Sequence, residues 1–486
     1  DMDTRLSEEN ARITQMNTQT SENNTLASQV ASNAAQVATD KADVANMKTE
    51  ASSSAASALA SKNAIQSYVI PTTATYSYSE IDNLIVNKDA YRIGKAGSIG
   101  FGVATCPNAL IPSGWAGLSG HDDILSPNYG NYLDENGSVL VYVPKHWYKF
   151  TGNTLEISDT PLDGFVLDRS FINAGAEVNG VFIYKYGASN LNGVFASQKM
   201  GNPLSTSSAH NPISGLTGSH SNNYGGLYTA VKTAGSDYYL TSIFNYSMLA
   251  RLAFAHGKAA TSTAACAFID VNPKMPKGCL ANVLRDVNDS SVTFTSDGYS
   301  NCAKTGSGTP FAKTTHNGQD CGIADLNGNM WEVASGFIRY DADGFLVLKE
   351  SVDIRSIVND SVTTAGGGAY DKNLYDVIDI SDLVSANDGW TYLGNGAESV
   401  FAMSTTRTTP EYKRTALGIP KATGVSASGT TEFGNDGVYR YLRNEMACLC
   451  GGRWSDTSRA GAFAMNLDHY RTNSSYYTGG RASFLV

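Results

Sequence analysis

The chain has 486 residues, a formal net charge of −10 and only 16% charged residues, with 47 glycines and 26 tyrosines. An acidic chain without a Lys/Arg block is unsuited to wrapping nucleic acid or an anionic membrane. No apolar run reaches the roughly 18 residues needed to cross a bilayer, and no signal-peptide pattern follows the starting Asp1.

Residues 1–68 contain no proline or glycine, and no aromatic residue precedes Tyr68. Helix formers dominate, and a heptad can be laid on them. Leu6, Ile13, Thr20, Ala27 and Ala34 take one core position. Met16, Asn23, Val30, Val37, Val44, Ala51, Ala58 and Ile65 take the other. The spacing predicts a coiled-coil stem with a small, partly polar core. So narrow an apolar stripe does not hold a lone helix in water, which implies self-association without fixing the number of strands. Residues 69–105 read as a neck. Pro71 stops the helix, a β-leaning Thr/Tyr stretch follows, and a short amphipathic piece covers Glu80 to Val86.

The body, 106–486, reads as short strands, few helices and long loops, an α+β pattern. Val139 to Val143 after Glu135-Asn136-Gly137 predicts a hairpin strand, and Val181 to Tyr186 a second strand. Ser242 to His256 predicts a helix, with His256 at the core edge rather than a ligand. Residues 337–440 are rich in Gly, Thr, Ser and Asp and read as a long insertion with strands of its own. The seven cysteines are scattered and odd in number, which predicts buried free thiols.

Catalytic motifs are missing. There is no GxxxxGK[ST], GxSxG, HExxH or EF-hand loop, and the seven histidines show no metal-ligating spacing. Two segments stand out. One is GIADLNGNMWE, from Gly322 to Glu332. The other is the tail from Cys448, with GGRW at Gly451 to Trp454 and Gly479-Gly480-Arg481 near its end. Residues 451–486 contain no Lys, Glu or Gln. Clusters of Ser, Asp, Thr, Arg, His, Asn and Tyr alternate there with small and apolar residues. Tyr supplies contact area at low entropy cost, and Ser and Asn adapt their hydrogen bonds, as in an antibody paratope.

These blocks resemble the formylglycine-generating-enzyme type of C-type lectin-like fold. VFIYKYGASN and the helix around Leu249 fall where that fold has its early strand and first helix. Within the superfamily the tail is similar to the variable proteins of diversity-generating retroelements. In phages these are tail-fibre receptor-binding proteins, and YGNYLDENGSVLVYVPKHWYKF resembles the start of such fibre-tip domains. The resemblance implies a trimeric coiled-coil stem and a lectin-like receptor-binding domain with 451–486 as its variable region. It implies a non-enzymatic adhesin on the virion, assembled in the host cytoplasm. Its partners would be its own copies in a homotrimer, other tail proteins through the N-terminus, and a host surface protein or glycan, with no nucleic acid and no membrane insertion.

The expected contact residues are Ser455, Asp456, Thr457, Arg459, Asp468, His469, Tyr470, Asn473, Ser475, Tyr476 and Tyr477. Trp331 and Trp454 are expected in the core, with Arg453 and Arg481 paired to internal carboxylates. Asp325, Asn327, Asn329 and Glu332 offer oxygens of the kind calcium prefers, a candidate structural calcium site; no other cofactor is expected. Two departures from the family bear on function. The formylglycine-generating enzyme places two cysteines after its GGSW, whereas Cys448 and Cys450 precede Gly451, which disfavours the oxidase alternative. Gly480 stands where the family has Phe, which predicts a weaker anchor for the last strand. A bacterial surface adhesin of the same fold is the other alternative.

Overall fold

The computed structural model describes residues 2–66 and 91–486, apart from 277, 341–342, 358–370, 385–388 and 397–398. The chain divides into two units, Asp1–Glu80 and Ile81–Val486. Most of the expected neck, including the Thr/Tyr stretch and the Glu80–Val86 piece, lies outside the described residues.

In the first unit a single helix runs from Met2 to Gln66, 65 residues and about 100 Å at 1.5 Å per residue. Thr14, Thr18, Thr20 and Thr25 turn their hydroxyls back onto the carbonyls four residues earlier. This satisfies the side chains within the helix. In the single chain the heptad residues face solvent: Leu6, Ile13, Met16, Val30, Val37 and Val44 are all at least 49% exposed.

The second unit is α+β, strand-rich with few helices. Among the described residues, a six-stranded sheet has the order Ala116–Gly117, Asn131–Leu133, Val139–Pro144, Gly180–Tyr184, Ala482–Leu485, Tyr239–Leu240. The expected hairpin is present, with Asn131 opposite Val141 and Leu133 opposite Val139. Asp134 closes its turn by accepting the Asn136 and Ser138 N–H groups, and Gly137 takes the left-handed conformation at φ 85°.

A nine-stranded sheet carries the tail. Its centre is Trp331–Tyr340, Met446–Gly451 and Gly461–Tyr470. The 337–440 segment has strands, as expected, and they join this sheet. Gly344–Leu348 and Tyr375–Ile378 extend one side of this sheet, and Gly437–Arg440, Gly389–Leu393 and Val425–Ser426 extend the other.

The predicted helix is present as Ile243–Ala259. Ser242 caps it, accepting the Asn245 N–H, while the Asn245 side chain returns to the Ser242 N–H. It is buried from Ile243 through Gly257 and packs against the central strands of the larger sheet. Arg251 binds buried Asp168 through Nε and Nη2 and gives an Nη1 N–H to the Thr415 carbonyl at 2.8 Å, tying the 337–440 segment to the body. His256 is fully buried: its ring stacks on Phe101 and its Nδ1 accepts the Gly97 N–H. All seven cysteines are free and buried.

Candidate binding face

The tail begins as an antiparallel hairpin of Met446–Gly451 and Gly461–Tyr470, with register shifts in between. Gly451 and Gly452 lead out of the first strand at φ 93° and 111°, in the region glycine alone tolerates. A side chain at 452 would strike Ala460 at 2.3 Å. This explains GGRW: two left-handed residues turn the chain, and Trp454 then enters the core at 3% exposure.

Asp456 organises the loop that follows. Its Oδ2 accepts the Arg453 N–H at 3.0 Å and its Oδ1 accepts from Arg459 at 3.1 Å. Its own carbonyl accepts the Ala281 N–H at 2.7 Å. With 2% exposure it is a framework residue, which corrects its placement among the contact residues. A carboxylate that accepts loop N–H groups must face inward. Ser455 and Arg459 are half-buried and Thr457 is exposed. The Arg459 guanidinium lies 4.7 Å from the ring of Trp390, on the Gly389–Leu393 strand.

Met446 pairs with Tyr470 and Gly451 with Gly461, so the 452–460 loop and Tyr470 stand at opposite ends of the hairpin. At the Tyr470 end, Arg443 is stacked on two rings, 4.2 Å from Tyr441 and 4.3 Å from Tyr470. It donates to the Tyr470 hydroxyl at 2.6 Å, to the Asp468 carbonyl at 2.9 Å, and to the Asp468 carboxylate. Asp468 is thereby paired and half-buried, while Tyr470 is 45% exposed.

Residues 471–477 bridge the two ends. His469 Nδ1 lies 2.7 Å from the Asn473 amide nitrogen, and its ring meets Tyr477 edge-on. Burial, together with Arg453 and Arg443, outweighs Asp468 and pulls the His469 pKa down to about 4, so the ring is neutral near pH 7 and accepts from Asn473. Tyr477 is half-buried under Arg453, whose guanidinium lies 4.0 Å from its ring. Tyr476 is 43% exposed and packs against Tyr299, Trp454 and Tyr477. Ser475 is a second correction. It is 8% exposed, its N–H donates to Thr206 Oγ1 at 3.0 Å, and its carbonyl accepts from the same hydroxyl.

The expected residues therefore form an elongated face along the hairpin rather than a single cluster. Thr457, Tyr470, Asn473 and Tyr476 are exposed; Ser455, Arg459, Asp468, His469 and Tyr477 are half-buried. Sequence reasoning missed Arg443, Tyr441 and Trp390. The first two lie just before the segment that drew attention, and Trp390 lies in the 337–440 segment.

A buried support sits behind Tyr476. His210 Nδ1 contacts the Tyr476 carbonyl at 2.7 Å, its Nε2 contacts Asp297 Oδ2 at 2.6 Å, and its ring stacks on Tyr299. Burial pushes the Asp297 carboxyl up, but hydrogen bonds from His210 and the Tyr299 N–H hold it below its ordinary value. Cys302 lies beside this pair, making the only His/Cys/Asp/Glu grouping at metal-binding separations among the described residues. Burial pushes its thiol far up, so it keeps its proton. The arrangement is a hydrogen-bonded brace for the loop.

The candidate calcium site is also corrected. Both Glu332 oxygens bind Arg481, and one also accepts the Tyr246 hydroxyl. Asp325 accepts the Gly187 and Gly306 N–H groups, and burial pushes its pKa up to about 6. The Asn329 amide pairs with both backbone groups of Ala303. Arg481 supplies the positive charge a cation would have brought. The expected weak anchor at Gly480 is corrected too. Leu227 and Leu240, both buried, approach the space a side chain at 480 would take, and Ala482–Leu485 is paired on both sides.

No protein-family model matches the chain, and no curated protein matches it. Among solved structures the chain is similar to the Major Tropism Determinant P3c Variant and the Major Tropism Determinant I1 Variant. Each is 12% identical with a TM-score of 0.27, over 71% of this chain and 63% of theirs. The Major Tropism Determinant U1 Variant is 9% identical with a TM-score of 0.24, over 82% of this chain and 97% of its own. The chain thus spans about 63% of the length of the first two.

Proposed function

We propose that the chain is a phage tail-fibre tip adhesin. In this reading Met2–Gln66 is one strand of a homotrimeric coiled coil that joins other tail proteins, and the head is C-type lectin-like. The head binds a protein or glycan on the host bacterial surface through a diversified tail face. The observation that carries the reading is the row of arginines stacked on aromatic rings: Arg443 with Tyr441 and Tyr470, Arg453 with Tyr477, and Arg459 with Trp390. Tyr, Trp and Arg dominate binding hot spots, and here they are held by the framework before any partner arrives. Several heads on one virion raise avidity by effective concentration, so single-site affinity need not be high.

The reading contains no catalytic step. Cys448 and Cys450 lie buried within a strand, and burial with its neighbour pushes the Cys450 thiol well up, so Cys450 keeps its proton. A peptide-oxidation assay checks this directly, and turnover would restore the oxidase alternative.

The decisive experiment has two arms. Tyr470→Ala and Tyr476→Ala should each lower adsorption to host cells while the oligomer survives; unchanged adsorption of both would sink the site. Deep sequencing of the encoding locus should find substitutions concentrated at exposed and half-buried tail codons opposite adenines of a nearby template repeat. Codons as quiet as their neighbours would remove diversification and leave a fixed-specificity fibre tip.

A further inference from the structure

A cavity of about 290 Å³ lies where the 337–440 segment meets the body, and no residue of the tail lines it. This is near the lower end of the roughly 300–1,000 Å³ typical of ligand sites, enough for one ring rather than an extended chain. Its apolar surface includes Phe244 from the central helix, Leu348 from the larger sheet, and Tyr412 and Ala416 from the Pro410–Ala416 helix.

Its polar lining includes Ser351, Thr408 and two pairs of opposite charges. Glu350 lies 3.4 Å from Arg407, and Asp376 lies 2.8 Å from Lys413. The other two cations in the lining are already committed. Arg169 is buried over Phe244 and donates to backbone carbonyls, and Lys349 donates to the Asn373 carbonyl. Glu350 differs from the rest. One of its oxygens faces Arg407, and the other, Oε1, is buried with no hydrogen-bond partner among the described residues. A buried carboxylate oxygen without a donor is costly.

The ligand that matches must donate to Glu350, accept from Arg407 or Lys413, and lay an apolar surface on the ring and aliphatic carbons. A simple anion satisfies the cations but meets the unpaired Glu350 oxygen with repulsion. A hydroxyl both donates and accepts, and a pyranose carries several of them around a C–H face. We propose that this cavity binds a single neutral saccharide ring. The site is independent of the tail face and gives the 337–440 segment a role in ligand binding.

The test uses the full chain. Saturation-transfer NMR and calorimetric titration would be run with D-glucose, D-galactose, D-mannose, N-acetyl-D-glucosamine and L-rhamnose, with benzoate as the apolar anion. At least one sugar should saturate at millimolar concentration. Glu350→Gln, which preserves shape, should weaken it by about tenfold, as loss of a hydrogen bond to a charged group does. Ala416→Phe, which fills the cavity, should abolish it, with the melting temperature of each variant confirming the fold. Tyr470→Ala should leave it unchanged, which separates this site from the tail face. The proposal is overturned if no sugar saturates, if binding survives Glu350→Gln undiminished, if Tyr470→Ala removes it, or if benzoate binds in preference to every sugar.

Discussion

Glu332 and Arg481 form a bidentate ion pair closed off from solvent, with Nε–Oε2 and Nη2–Oε1 both 2.7 Å and side-chain exposures of 5% and 0%. Tyr246 donates to the same carboxylate, and Arg481 also donates to the Tyr184, Ala324 and Asp325 carbonyls. The pair joins GIADLNGNMWE to the final GGR and so pins the tail to the body. Breaking one partner strands the other as a buried charge. Arg481→Met or Glu332→Gln should each lower head stability by roughly 3–5 kcal/mol in urea unfolding. The double variant should lose less than the sum of the two; additive losses would mean the residues act independently.

Arg443 should govern the face although it lies outside the tail segment. Arg443→Ala removes two ring contacts and the anchor of Asp468, and should lower host adsorption about 30-fold, a hot-spot loss of roughly 2 kcal/mol. Arg443→Lys should rescue little, because an ammonium cannot stack flat between two rings. Full activity of the Lys variant would reduce the role of Arg443 to its charge.

His469 predicts an acid sensitivity with a defined direction. Its pKa falls from 6.5 to about 4 on folding. Between those values the unfolded chain binds the proton and the folded one does not, so this group's contribution to stability is lost as pH drops from about 6.5 to about 4. Asp325, raised to about 6, acts in the opposite direction over part of the window. The readout is therefore the difference between wild type and His469→Asn in urea midpoints across pH 4–7. The gap should narrow or reverse toward the acid end; a pH-independent gap would contradict the neutral buried ring.

The stem prediction concerns assembly. Val30 and Val37 are 60% and 65% exposed in the single chain. Replacing both with Lys should dissociate the proposed oligomer in sedimentation velocity while the head keeps its melting transition. A sedimentation coefficient unchanged by the double substitution would remove the valine seam from the assembly.

Much of the fold was legible because its signals are local. The long helix follows from an unbroken run of helix formers, the first hairpin from Glu135-Asn136-Gly137, and the central helix from the spacing of Leu249, Leu252, Ala253 and His256. The inward turn of Trp331 and Trp454 and the burial of seven unpaired thiols also follow from composition and motif. The polar-aromatic character of the tail was visible in which residue types it omits.

Only the tertiary structure decided which tail residues reach solvent, because exposure depends on partners remote in the chain. Asp456 and Ser475 resemble their polar neighbours in sequence. They turn inward because the Arg453 N–H, Arg459 and Thr206 are there to meet them. Glu332 could not be told from a calcium ligand until Arg481 was seen beside it. Trp390 and Arg459, distant in sequence, meet because parallel pairing of Gly437–Arg440 with the tail strand carries the 337–440 segment into the tail's own sheet. Periodicity and capping are written along the chain, whereas partner choice between remote strands is settled only when the whole core packs.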